Sequence, residues 1–236
     1  MKKYKLTTET LQFAGRTLHR IKAVKDFDSI KAGEFGGWIE NEKNLSQDDN
    51  AWIYGDAMVF DNAEVYDNAK VYGNANVSGN ANVSGNAEVY GNANVFGNAN
   101  VFGYAEVYGN ANVFGYAEVY DNAKVYGNAN VSGNAEVSDY AEVSDYAKVY
   151  GNAAIKGDAK VHDAVDYIVF KNFWSSGRYF TWTSSNNKWS VGCFYGTGEE
   201  LIKKAYADSE KSGREYERVV RYVESILADE KKEKSN

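Results

Sequence analysis

The chain has 236 residues and a formal net charge of −7, and 44% of its residues are hydrophobic. The acidic excess lies in residues 51–161, which hold five basic and thirteen acidic side chains, and because such a surface repels nucleic acid we expect no direct nucleic-acid binding. No stretch approaches the roughly 18 apolar residues that cross a bilayer, and the lone Cys193 excludes an intramolecular disulfide, so we expect a cytoplasmic protein without a membrane partner.

Residues 1–50 precede a long repeat and predict an N-terminal β cap. Lys3–Thr7 and Thr17–Val24 alternate between polar and apolar residues on either side of a turn, which is the pattern of a hairpin. In the stretch that follows, Ile39 and Leu45 are already six residues apart. We therefore expect this stretch to lead directly into the repeat.

A six-residue unit repeats without insertion from Ala51 to Val161, in 19 copies that read Ala-x-Val-x-Gly/Asp-Asn. Residues two apart share one face of a strand, so each Ala-x-Val triplet predicts a minimal strand with Ala and Val inward. The residues that follow tolerate the positive φ of a tight corner. A hexapeptide period predicts a parallel β-helix, and three units a turn would give about six triangular coils. The unbroken phasing argues against a disordered low-complexity tract.

Outward side chains 18 residues apart would stack into columns on such a helix. Stacked tyrosines and amides stabilise parallel strands in register, but rows of exposed aromatic rings also mark interaction surfaces. Both interpretations of the columns stay open at this point. The candidate binding residues of the repeat are Tyr54, Tyr72, Tyr90, Tyr108 and Tyr126.

Residues 162–236 leave the repeat and predict a β-meander followed by two helices. Aromatic strands are expected at Tyr167–Phe173, Arg178–Ser184 and Lys188–Phe194. Thr197 with a glutamate three residues later forms a capping box at the start of the first helix. Ser212-Gly213 is expected to end that helix.

This C-terminal segment is either a lid for the β-helix or a binding head. Its aromatic content exceeds what closing a narrow tube requires, which favours a head. The candidate binding residues here are Trp174, Trp182, Trp189 and Tyr195.

The repeat resembles that of the hexapeptide-repeat, left-handed β-helix family, in which an aliphatic residue follows a small residue two positions earlier. The resemblance alone implies the left-handed turn. The segments DFDSIKAGEFGGWIENEKNLS and GCFYGT are similar to the ends of hexapeptide-repeat proteins of bacteria, phages and prophages, many of them labelled acyltransferases or polymer-forming proteins. The resemblance thus implies a phage- or prophage-encoded protein that binds a partner, for example to inhibit a host-defence factor.

Acyltransferases that this chain resembles use a histidine base and a loop that leaves the coil. The chain has only His19 and His162, and its repeat has no insertion. No Cys/His cluster has the spacing of metal ligands, so we expect neither a metal nor a cofactor. We predict a noncatalytic scaffold that recognises a protein partner or itself, for example as a homotrimer. Two alternatives stay open: an acyltransferase that uses His162, and a self-assembling structural protein.

Overall fold

The computed structural model describes residues 2–174 and 176–233, and the chain divides into two compact units, Met1–Ala164 and Val165–Asn236. The first unit is a β-solenoid preceded by an antiparallel hairpin. The second is a small α+β unit. The predicted fold class, a parallel β-helix with an N-terminal β cap and a C-terminal meander plus two helices, is confirmed.

Each hexapeptide of the solenoid contributes a minimal strand to one of its faces. The alanine and the aliphatic residue of almost every unit have no exposed surface, as for Ala105 and Val107 at 0%, while the residue between them faces outward. The strands of the repeat are β4 (Trp52–Ile53), β5 (Met58–Val59), β6 (Glu64–Val65), β7 (Lys70–Val71), β8 (Asn76–Val77), β9 (Asn82–Val83), β10 (Glu88–Val89), β11 (Asn94–Gly97), β12 (Asn100–Val101), β13 (Glu106–Val107), β14 (Asn112–Gly115), β15 (Glu118–Val119), β16 (Lys124–Val125), β17 (Asn130–Val131), β18 (Glu136–Val137), β19 (Glu142–Val143), β20 (Lys148–Val149), β21 (Ala154–Ile155) and β22 (Lys160–Val161).

The register of these strands confirms three units per turn. Every third strand is a hydrogen-bonded parallel neighbour, so that Val89 pairs with Val107 and Val107 with Val125. Three parallel sheets result, and they share one interior of alanine and valine. The described solenoid has about seven turns rather than the six expected, because Ile39 and Leu45 already pair with Val59 and Val65 and form an earlier, longer coil.

Positive φ angles concentrate at the corners between strands. Gly109 has φ 72° and Asp121 has φ 57°. Where tyrosine replaces the corner asparagine, the preceding glycine or aspartate carries the positive φ, as at Gly103 before Tyr104 and Asp139 before Tyr140. The prediction for these corners is therefore confirmed.

The N-terminal cap consists of β1 (Tyr4–Phe13), β2 (Arg16–Ala23) and β3 (Phe35–Ile39). β1 and β2 pair antiparallel, as do β2 and β3, and β3 then pairs parallel with β5 of the solenoid. A short 3-10 turn follows at Glu42–Asn44. The buried Lys3 ammonium donates 2.8 Å hydrogen bonds to the carbonyls of Asp49 and Ala51, which satisfies backbone groups that a first coil would leave unpaired.

The C-terminal unit is an antiparallel meander covered by two helices. A 3-10 turn at Ala164–Asp166 precedes it. Its core joins Phe180 and Trp189 of the sheet to Leu201 and Val220 of the helices. The elements are β23 (Tyr167–Lys171), β24 (Tyr179–Thr183), β25 (Lys188–Val191), β26 (Phe194–Gly196), α1 (Gly198–Asp208) and α2 (Glu210–Glu233).

The break between the helices differs from the sequence prediction. The capping box at Thr197 is confirmed, but the chain breaks at Ser209, whose φ of −170° and ψ of 154° are extended. The Ser209 hydroxyl accepts a hydrogen bond from the Ser212 amide and so caps α2. Gly213 lies inside α2, and its missing side chain leaves room for the ring of Tyr206, since an added Cβ would lie 2.2 Å from Cδ1 of that ring.

Candidate binding surfaces and a histidine site

The five predicted tyrosines form one column on the solenoid. From Tyr72 to Tyr126 the rings stack nearly parallel, with centroids 4.7, 4.8 and 5.0 Å apart. Tyr54 meets Tyr72 edge to face at 6.4 Å. The ring spacing equals the strand spacing of a parallel sheet, so the stacks follow directly from the register.

The tyrosine hydroxyls bond to a neighbouring column of glutamates. Tyr72 donates to Glu88 at 2.7 Å and Tyr90 donates to Glu106 at 3.0 Å. Burial, followed by the hydrogen bond to the carboxylate, raises the pKa of both phenols above the ordinary value. These half-buried rings hold adjacent coils together, and whether they also bind a partner stays a prediction.

A second column shows the same structural use of amides. Asn76 donates to Asn94, Asn94 to Asn112, and Asn112 to Asn130, at 3.1 to 3.2 Å. Such a ladder satisfies most of the amide groups within the solenoid itself. It stabilises the stack in the way that amide ladders stabilise other parallel, in-register strands.

The C-terminal unit carries an aromatic groove of about 420 Å³. Phe173 and Trp174 stack at 4.1 Å and are 72% and 48% exposed. Tyr222 of α2, 56% exposed, packs edge to face against Phe170 at 5.9 Å. The other residues that line this aromatic groove are Lys171, Glu215, Arg218 and Val219.

The predicted binding residues of this unit separate into two groups. Trp174 lies in the aromatic groove. Trp182 and Trp189 are 3% and 2% exposed and belong to the core, because alternate residues of the meander face the helices. Tyr195 is half-buried, and its hydroxyl accepts a hydrogen bond from Asn186. No sequence pattern points to Tyr222 as a groove residue, since its position depends on how α2 packs against the sheet.

His162 lies beside a serine and an aspartate at the last turn of the repeat. Its Nδ1 is 2.6 Å from Oγ of the buried Ser144 and 3.2 Å from Oδ2 of Asp145. The Ser144 hydroxyl can donate to Nδ1 or accept from it; when Nδ1 carries the proton, the Asp145 carboxylate can accept from it and Nε2 is the nitrogen that carries the lone pair. His19 lies elsewhere, on β2, with Nδ1 3.3 Å from the carbonyl oxygen of Thr7.

Residues 2–174 and 176–233 contain neither a metal-binding cluster nor a helix that could cross a membrane. No group of three or more His, Cys, Asp or Glu side chains is placed to hold a metal ion. In the same part of the chain, neither helix has the length and apolar composition that a membrane crossing requires.

The parallel stacking of the strands, together with a match to part of one known protein, fits a hexapeptide-repeat left-handed β-helix protein. No protein-family profile matches the chain. The relative, from Escherichia coli strain K12, carries the name "Uncharacterized acetyltransferase YdcK" and is 39% identical over 62 residues. The match covers 23% of this chain and 19% of the relative, so the chain spans about a fifth of that protein's length.

This similarity overturns the prediction that the protein is not an enzyme. The relative that shares part of the sequence is named as an acetyltransferase. The sequence argument relied on the absence of a histidine from the central coils and of an extruded loop. Those absences do not exclude catalysis, because the end of the repeat holds a histidine with an aspartate against its Nδ1.

Proposed function

We propose that this β-solenoid protein recognises a protein partner through the aromatic groove of its C-terminal unit. The observation that carries the proposal is the exposure of Phe173, Trp174 and Tyr222 around one apolar depression. Large aromatic side chains on a surface are costly in water, and they are enriched among the residues that dominate binding energy at protein interfaces.

The groove is prepared for an apolar anchor from a partner. The Asn172 side chain accepts a hydrogen bond from the Trp174 amide at 3.0 Å, which fixes the backbone that presents the ring. Glu215 is paired with Arg218 at 2.8 Å, so Lys171 supplies the remaining charge on the rim. A partner segment with an aromatic or aliphatic side chain next to an acidic residue fits this combination.

A phage or prophage origin, a host-defence factor as the partner, and a cytoplasmic location belong to this proposal. The origin and the partner rest on the resemblance of the end segments to phage and prophage proteins, and the location rests on the lone Cys193 and the absence of a long apolar stretch from the sequence. An inhibitor of a host protein needs a surface that binds tightly, and burying two or three aromatic rings supplies most of the affinity of many interfaces.

The test compares capture of partners by the intact protein and by a groove variant. The variant carries Phe173→Ser with Trp174→Ser, and the control Tyr116→Asn removes a ring that is 65% exposed while restoring the residue that the repeat usually has there. We expect a host protein, afterwards purified and titrated, to bind the variant at least about 30-fold more weakly, since an anchor ring contributes 2 kcal/mol or more. Equal binding by variant and control, or no captured protein, would contradict the proposal.

Acetyl transfer is a second candidate, favoured by the name of the relative and by the contact between His162 and Asp145. In this reaction Nε2 of His162 would take the proton of an acceptor hydroxyl or amine. The acceptor atom would attack the thioester carbonyl of acetyl-CoA, and the thiolate of coenzyme A would leave.

Calorimetry with acetyl-CoA tests this candidate. Saturable binding, with turnover lost in His162→Asn while binding persists, would support it. An absence of binding would remove it, without bearing on the aromatic groove.

A further inference from the structure

A second depression lies on one edge of the solenoid and shares Glu88 with the tyrosine column. This polar groove has a volume of about 350 Å³, within the size range of small-molecule sites. Residues from one corner, one outward column and the N-terminal segment line it: Asn50, Asn68, Asn86, Tyr104, Lys70, Glu88 and Asp28.

The corner that lines the polar groove interrupts its asparagine ladder with a tyrosine. Asparagines elsewhere continue in side-chain ladders, as from Asn74 through Asn92 and Asn110 to Asn128. Here Asn50 donates to Asn68 at 3.0 Å, and Tyr104 then takes the place of an asparagine. Among the described residues, the side-chain amide of Asn86, which lines the groove, has no hydrogen-bond partner.

Tyr104 exposes an aromatic face at the groove. Its ring is 64% exposed, and the substitution gives up an amide–amide bond that is worth about 1 kcal/mol elsewhere. Tyr116 and Tyr140 occupy equivalent corner positions, but only Tyr104 lines this groove. An exposed aromatic ring and an unpaired amide thus line the same groove.

Lys70 adds an ammonium group that the outward column leaves unpaired. Further along that column Lys124 pairs with Glu106 at 2.9 Å and Lys160 with Glu142 at 3.4 Å. Lys70 forms no such pair with any residue in the described parts of the chain. It lines the groove with two carboxylates, Asp28 and Glu88, so the lining has both donors and acceptors and a net charge of one negative unit.

We propose that this polar groove binds a neutral pyranose saccharide. The C–H face of a sugar ring would stack on Tyr104, because the negative face of an aromatic ring attracts polarised C–H groups. Sugar hydroxyls both donate and accept, and the amide of Asn86, the ammonium of Lys70 and the carboxylates match that dual character. The net negative lining disfavours phosphates and acidic sugars.

The structure provides a matched pair of variants for the test. Tyr104→Asn restores the usual corner residue and should fold at least as well as the natural chain. Tyr140→Asn makes the same change two turns further along the same edge, at a ring that is 71% exposed and outside the groove. Lys70→Gln removes the ammonium while keeping a hydrogen-bonding side chain.

Saturation-transfer NMR with tetrasaccharides of glucose, mannose and N-acetylglucosamine measures binding to the full chain. We expect at least one of them to bind saturably below roughly 10 mM, with Tyr104→Asn and Lys70→Gln about tenfold weaker and Tyr140→Asn unchanged. Binding of none of the probes, undiminished binding by Tyr104→Asn, or an equal loss in Tyr140→Asn would overturn the proposal.

Discussion

The corners of the solenoid allow a prediction about stability: at Gly133, aspartate should be less destabilising than the smaller alanine. Gly133 and Gly151 have nearly the same φ, 72° and 73°, but they differ in what lies beyond them. A Cβ added at Gly133 would lie 2.9 Å from the amide nitrogen and 3.0 Å from the carbonyl oxygen of Gly151 in the next coil. A Cβ added at Gly151 would meet nothing within 4 Å.

The expected costs follow from these contacts. Both alanine variants incur about 1 kcal/mol for placing a side chain at positive φ. Gly133→Ala must also push the next coil away by about half an ångström, which adds roughly 1–3 kcal/mol as overpacking does elsewhere. We therefore expect Gly133→Ala to lower the free energy of unfolding by about 2–4 kcal/mol, and Gly151→Ala by about 1 kcal/mol.

Gly133→Asp should be less harmful than Gly133→Ala. At natural corners, the carboxylates of Asp67 and Asp139 accept hydrogen bonds from the Gly85 and Gly157 amides of the next coil at 3.0 and 2.9 Å. A hydrogen bond to a charged group contributes about 1.5–3 kcal/mol, which offsets much of the strain.

Urea unfolding of the three variants, with hydrogen exchange at residues 130–152 as a local measure, checks this order of stability. Equal losses for the two alanine variants would show that the spacing between coils does not limit the corner. An aspartate variant no better than alanine would show that the carboxylate contacts contribute little.

Two further predictions concern the tyrosine column and the helix pair. The pKa of Tyr90 is raised in the folded state, so its contribution to stability is complete below the ordinary phenol pKa of about 10 and is lost as the pH rises above that value. The fall in the urea midpoint between pH 8 and pH 11 should therefore be smaller in Tyr90→Phe than in the natural chain, and an equal fall would refute this. Alanine is a better helix former than glycine, but its Cβ at position 213 would collide with the ring of Tyr206. Gly213→Ala should therefore destabilise the C-terminal unit by about 1–3 kcal/mol in thermal unfolding, and a stabilised variant would show that the two helices separate at little cost.

The solenoid was predictable because its period alone determines which side chains are inside. Alanine and valine recur with the phase that a three-unit turn requires, so even the pairing of Val89 with Val107 follows from counting residues. The positive φ of Gly103 was predictable for the same reason, since tyrosine at the next position tolerates that conformation poorly.

The C-terminal unit was less predictable because its contacts are not periodic. Trp182 and Trp189 were predicted from the sequence to bind a partner, yet they are core residues. The side of each strand that faces the helices is set only when the two pack together. Gly213 looks like a helix breaker, but its role depends on the distant ring of Tyr206. The polar groove beside Tyr104 likewise requires Asp28 from a different part of the chain.

The stacking of identical side chains 18 residues apart, seen from Tyr72 to Tyr126, constrains how the gene can change in length. Loss or duplication of 18 codons removes or adds one full turn and returns every column to its own kind. Loss of six codons, for example those of residues 93–98, preserves the strand pattern but places Phe114 over Tyr90 and Asn112 where Glu106 had accepted the Tyr90 hydroxyl. Insertions and deletions in the repeats of related genes are therefore expected in multiples of 18 codons.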